Sequence, residues 1–190
     1  MNLLCKTPDY WIELVLSDVH SFLRDHAHNE RKVAASAMTL SAHQPSDYDF
    51  VEAMMIVARE ELKHFQQVHA ILRKRNLPLG FDEPDPYMTK FHKIIRKPNA
   101  KEFFLDRLLC SAVVEARGCE KFRILSEAFS DEELKDFYRR LCISEERHHE
   151  IFLHFAKKHF PAKIVEARLS FFLEQEKTFI HEIPKRSALH

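Results

Sequence analysis

Two segments of this sequence carry the same four-residue pattern, Glu61-Leu62-Lys63-His64 and Glu145-Glu146-Arg147-His148. Residues three apart on a helix share a face one turn apart, so each segment offers a carboxylate and an imidazole to one metal ion. Taken singly the pattern is weak, because the chain has 13 histidines and Glu146 with His149 repeats it once more. Register gives it weight: His148 follows His64 by 84 residues, Glu145 follows Glu61 by 84, and Glu115 follows Glu30 by 85. One helical hairpin, with Glu on its first helix and Glu-x-x-His on its second, is written twice. That is the inward constellation with which helical bundles build carboxylate-bridged di-iron or di-manganese centres. Glu30, Glu61, His64, Glu115, Glu145 and His148 are the expected ligands.

Charge supports the same reading. Four buried carboxylates without counter-charge would be costly or would protonate, whereas two divalent cations cancel them and two neutral imidazoles complete the set. Mixed oxygen and nitrogen donors suit iron or manganese, although zinc stands higher in the affinity order. His20, His26, His28, His69, His149, His154 and His159 match neither triplet and are read as surface groups or supports of the ligands, with His149 pointing away. Gly118, one turn after Glu115, is costly in mid-helix and is explained by packing, by a local bulge or by room left for dioxygen or substrate. Tyr138 reads as a core residue with a bonded hydroxyl. Arg73-Lys74-Arg75, the 93–97 stretch and Lys157-Lys158 could touch phosphates, but helix ends collect such residues anyway.

The elements that must position these groups are long helices. Only 2 Gly stand against 16 Phe, a composition poor in tight turns. A helix is expected over residues 7–42, with Thr7 as cap and Pro8 in its first turn, and an inward stripe running from Trp11 through Phe22, His26 and Glu30 to Leu40. His43-Gln44-Pro45 breaks it, and Ser46 with Asp49 resembles a capping box opening a second helix to about residue 76. Residues 77–98 hold four prolines and must cross over, with a short helix near 87–96. Helices over 100–129, 130–160 and 162–181 complete an all-α chain. The expected fold is an all-α four-helix bundle, two hairpins joined by a long crossover with an additional C-terminal helix, in a single domain spanning 1–190.

Composition excludes several classes. Lys plus Arg equals Asp plus Glu at 29 each, so net charge marks no nucleic-acid footprint, acidic tail or membrane patch. Cys5, Cys110, Cys119 and Cys142 contain no Cys-x-x-Cys, which argues against a zinc knuckle or disulfide framework and for reduced thiols in cytoplasm. No basic head with an apolar run opens the chain, and no stretch approaches a membrane span.

The sequence resembles the MiaE-type tRNA hydroxylases, di-iron enzymes of the ferritin-like superfamily, over nearly its whole length. The resemblance is carried by Leu4-Cys5-Lys6-Thr7-Pro8 with Trp11, Asp25-His26-Ala27 leading to Glu30, Ala58 through Phe65, Asp106-Arg107-Leu108-Leu109, Val114-Glu115-Ala116-Arg117 and Ser144 through His148. Gly118-Cys119 departs from the pattern, where Ser and a polar residue are expected, and Ala27-His28-Asn29 is a variable stretch. The resemblance implies the same six ligands on two iron ions. It also implies a monooxygenase that uses O2 and two external electrons to hydroxylate the isopentenyl group of 2-methylthio-isopentenyladenosine beside the anticodon. Its partners would be a tRNA anticodon stem-loop and an electron-donating reductase or ferredoxin, with no membrane, and the enzyme a monomer or small homo-oligomer. The alternatives are a rubrerythrin-like oxidase or peroxidase, disfavoured by the missing Cys-x-x-Cys, and an iron-storage bundle without tRNA substrate.

Overall fold

The computed structural model describes residues 1–190 as seven helices and no strand. They are α1 (Tyr10–Ser17), α2 (Val19–Ser41), α3 (Tyr48–Lys74), α4 (Pro86–Ile94), α5 (Ala100–Ala128), α6 (Glu132–His159) and α7 (Ala162–Glu182). Contacts divide the chain into two compact units, one of Glu13–Pro84 with Lys185–Leu189, the other of Met1–Ile12, Asp85–Pro184 and His190.

In the first unit α2 packs along α3 as a hairpin. The helix expected over 7–42 is in fact two, because Asp18 leaves the helical region (φ −144°, ψ 70°) and its carboxylate accepts the N–H of Ser21 at 3.0 Å. An aspartate whose side chain replaces the missing carbonyl partner ends one helix and starts the next. Beyond that break the expected stripe is buried: Phe22, Leu23, His26, Glu30, Ala34, Ala37 and Leu40 all lie inside. Asp47 rather than Ser46 caps α3, accepting the N–H of Phe50 at 3.2 Å. At the far end Asn76 takes φ 55°, and the N–H of Leu77 returns to the carbonyl of Leu72 at 3.0 Å. This left-handed stop satisfies the last carbonyls and turns the chain out of the helix. In the following loop Gly80 has φ +69°, a conformation that favours glycine, and a Cβ there would also oblige the Arg24 guanidinium to move aside.

In the second unit α5 and α6 form the other hairpin, with α7 packed on both and α4 on α7. The crossover helix expected near 87–96 is α4, started by Asp85, whose carboxylate accepts the Met88 N–H at 2.9 Å. Phe91 stacks on Phe172 and meets Phe179 edge-on, which fastens α4 to α7. Thr7 does not cap a helix as expected. It is buried, and its hydroxyl bonds Glu120 at 2.7 Å.

Candidate metal centre

Each hairpin gathers its three expected donors. On α2 and α3, Glu30, Glu61 and His64 are buried, and one ligand atom from each lies within 4.8 Å of the other two. His64 Nδ1 stands 3.2 Å from Glu61 Oε2 and 3.5 Å from Glu30 Oε2. On α5 and α6, Glu115, Glu145 and His148 are equally buried and equally close, with His148 Nδ1 3.0 Å from Glu145 Oε2. The Glu-x-x-His spacing thus does what helix geometry dictates, and the same nitrogen is turned to the carboxylate in both hairpins.

These separations fit a cation. Two donors at right angles on one ion with bonds of about 2.1 Å are about 3 Å apart. Each triad also buries two carboxylates against a single imidazole, and one divalent ion per triad removes the excess negative charge. The donors are oxygen and nitrogen only, the set that suits iron or manganese.

The local field already holds Glu30 ionised. Burial pushes its carboxyl up, but hydrogen bonding with Glu61, the charge and hydrogen bond of His26 and the hydrogen bond of His64 bring it down to about 2. His26, read from the sequence as either a surface or a supporting group, has its Nε2 2.5 Å from Glu30 Oε1 and is fully buried. Such a partner fixes the orientation of a ligating carboxylate.

Other expectations fall out more variously. His28 is buried and its Nε2 meets the Gly80 carbonyl at 3.3 Å. His149 is also buried, against the N-terminal segment, with Nε2 3.0 Å from the Met1 amino group and outside the Glu115 triad. Tyr138 is a core residue packed on Phe122, Phe129 and Phe137, as expected. A Cβ added at Gly118 would meet nothing within 4 Å in an uninterrupted helix, so open space, rather than tight packing or a bulge, is what this glycine faces. Lys157 and Lys158 are exposed at the end of α6, and Arg73 and Lys74 at the end of α3, whereas Arg96 is committed to Asp106 and Glu102.

The sequence reading missed two buried networks that hold α5. Arg117, fully buried, donates from Nε to Glu176 Oε1 at 2.7 Å and from Nη2 to Glu176 Oε2 at 2.9 Å. It also bonds Glu120, Thr7 and the Cys5 carbonyl, tying the first residues of the chain and α7 to the turn just after Glu115. Asp106 accepts two bonds from the Arg168 guanidinium, at 2.8 and 2.6 Å, two from that of Arg96, at 2.7 and 3.1 Å, and one from the Arg96 N–H at 2.8 Å. The available signal was the presence of Thr7, Asp106 and Arg117 in the motifs quoted above. Their partners Glu176 and Arg168 lie in α7, where no motif pointed.

Comparison with known proteins bears on the family and the fold. A sequence model of the family described as tRNA-(MS[2]IO[6]A)-hydroxylase (MiaE) matches residues 1–190. The tRNA 2-(methylsulfanyl)-N(6)-isopentenyladenosine(37) hydroxylase of Pseudomonas putida is 37% identical over 152 residues, which are 80% of this chain and 73% of that protein. Its namesake in Salmonella typhimurium is 32% identical over 150 residues, 79% of this chain and 54% of that one. Among solved structures, a Synechococcus protein with aldehyde deformylating oxygenase activity superposes with a TM-score of 0.93 at 29% identity, over 99% of this chain and 94% of its own. The fold is therefore the all-α, ferritin-like one that the resemblance implied. With the full-length family match and both curated relatives agreeing, the chain belongs to the MiaE family of tRNA hydroxylases.

Proposed function

We propose that this protein is a di-iron, O2-dependent monooxygenase that hydroxylates the isopentenyl group of 2-(methylsulfanyl)-N(6)-isopentenyladenosine in tRNA, next to the anticodon. The observation that carries the reading is the pair of buried Glu, Glu, His triads, one per hairpin, in a chain matched end to end by the family. Fold alone would not name a substrate, since ferritin-like proteins host several chemistries. The two curated relatives supply it.

In this reading the iron ligands are Glu30, Glu61 and His64 of one hairpin and Glu115, Glu145 and His148 of the other, two ions in all in a single-domain chain. When bound, such a pair supplies the reduction of dioxygen by two external electrons, with one oxygen atom inserted into a C–H bond and the other released as water. The chain's own part is to position and to exclude. His26 orients Glu30, and the apolar stripes beside the ligands keep water from the donors. Arg117 and Asp106 set the helix that carries Glu115. Exposed Arg73 and Lys157 are the side chains this reading sets against the phosphates of an anticodon stem-loop. A reductase or ferredoxin delivers the electrons. No helix is long and apolar enough to cross a membrane. The reading places the enzyme in the cytoplasm as a monomer or small oligomer.

The test is the modified-nucleoside profile of tRNA from cells with and without the gene. Hydroxylated isopentenyladenosine disappears when the gene is deleted, and the unhydroxylated form accumulates in its place. Unchanged levels would reject the tRNA substrate while leaving the metal reading intact. Gel filtration separates off iron storage, because a cage predicts a mass many times 22.5 kDa.

A further inference from the structure

A pair of cysteines, unused by the proposed reaction, lies between α5 and α6. Cys119 Sγ and Cys142 Sγ are 3.2 Å apart, and each sulphur also contacts the other residue's carbonyl, at 3.4 and 3.3 Å. Both are reduced. A disulfide bond is about 2.05 Å long, so roughly 1 Å of sulphur movement would close one. Cys119 borders a cavity of about 450 Å³ lined also by Ala116, Arg123, Glu146, His149 and the 1–6 segment, and Cys142 lies directly behind it, in contact with the Cys119 sulphur. That opening is ample for a molecule the size of hydrogen peroxide. The Arg123 guanidinium reaches into the same place, with Nη2 3.9 Å from Cys119 Sγ.

We propose that Cys119 and Cys142 are a peroxide-oxidisable dithiol, a modification site that closes to a disulfide joining α5 to α6. Cys142 is the attacking group. The hydrogen bond from Cys119 and the nearby Arg123 charge outweigh burial and bring its thiol down to about 7, while the Cys119 thiol is pushed up by the same hydrogen bond and by burial. The Cys142 thiolate attacks one peroxide oxygen and breaks the O–O bond. It becomes a sulfenic acid, and the hydroxide released takes the proton that Cys142 had shed, forming water. Cys119 sulphur then attacks the Cys142 sulphur. The S–S bond forms, the S–O bond breaks, and the hydroxyl leaves as a second water with the Cys119 proton. Two thiols are oxidised and one hydrogen peroxide is reduced.

The other two cysteines serve as internal controls. Cys110 is deeply buried, which pushes its thiol up to about 12, and burial raises Cys5 as well. Neither has a second sulphur beside it among the sulphur contacts of the chain.

The experiment treats the full-length protein as purified with hydrogen peroxide, then unfolds it and counts thiols with N-ethylmaleimide. Two of the four thiols are lost, the mass falls by two hydrogens, a peptide map joins Cys119 to Cys142, and dithiothreitol restores all four. Under the same treatment Cys119→Ser keeps a sulfenic acid on Cys142 that dimedone traps, and the double Ser variant loses no thiol. Four reactive thiols remaining in the treated native protein would overturn the proposal, and so would a disulfide involving Cys5 or Cys110. Because the decisive count is made on the unaltered chain, a variant that fails to fold does not obscure it.

Discussion

His26 Nε2 lies 2.5 Å from Glu30 Oε1, one helical turn away on α2, and both side chains are buried. A histidine placed so fixes the direction in which a ligating carboxylate presents its second oxygen. Replacing His26 by Leu keeps the helix and removes that constraint. Iron(II) affinity, measured by anaerobic titration, is expected to weaken by about 10–100-fold with unchanged helical circular dichroism. Unaltered affinity would separate His26 from the metal centre.

Glu115 is the one acid that α5 contributes to its triad. Glu115→Ala removes a donor and leaves the Glu145 and His148 pair short of one. Turnover on tRNA and iron content should fall together, the first to background. A variant with full activity would overturn the ligand assignment, whatever its iron content.

Asp106 predicts a pH signature. Burial raises its carboxyl, yet the hydrogen bonds from Arg168 and Arg96 prevail and hold its pKa below the ordinary aspartate value. A carboxyl depressed in the folded state stabilises fully above its unfolded value and loses that contribution as pH falls through the folded one. Asp106→Asn should therefore cost about 1.5–3 kcal/mol at neutral pH, the worth of hydrogen bonds to charged groups. The gap from the wild type, read from urea unfolding, should narrow below about pH 4. A gap that stayed constant through the acid range would show that the charge is not what Asp106 contributes.

Gly118 offers a substitution expected to stabilise. Its position is helical and an added methyl meets no atom, so Gly118→Ala gains about 0.8–1 kcal/mol of helix propensity. For a chain of this size the melting temperature should rise by about 2–4 °C. A lower melting temperature would mean that the space beside Gly118 is filled in solution.

How much of this was legible beforehand follows from which physical signals are periodic. The two clusters of buried Glu and His were legible because a helix repeats its face every three or four residues and the hairpin repeats at 84. The break at Asp18 was hidden because Val15, Phe22 and Leu23 keep the apolar spacing across it, and a lone aspartate in such a run reads as surface. Thr7 looked like a cap since Pro8 follows it, but its hydroxyl is drawn to Glu120, 113 residues away, and local spacing carries no information about such a partner. For the same reason the Arg117 to Glu176 pair could not be seen. Both ends are charges in helical sequence with nothing local to mark the partner, and only the packing of α7 makes them neighbours.

The hairpin construction bears on how the protein would acquire its ions. Glu30 and His64 are 34 positions apart in the chain and Glu115 and His148 only 33, each set joined by one short connection. Closing such loops costs little entropy, so either hairpin can assemble its three donors without waiting for the other. Loading would then be stepwise, with two stoichiometric phases, and a protein carrying a single ion is a natural waypoint.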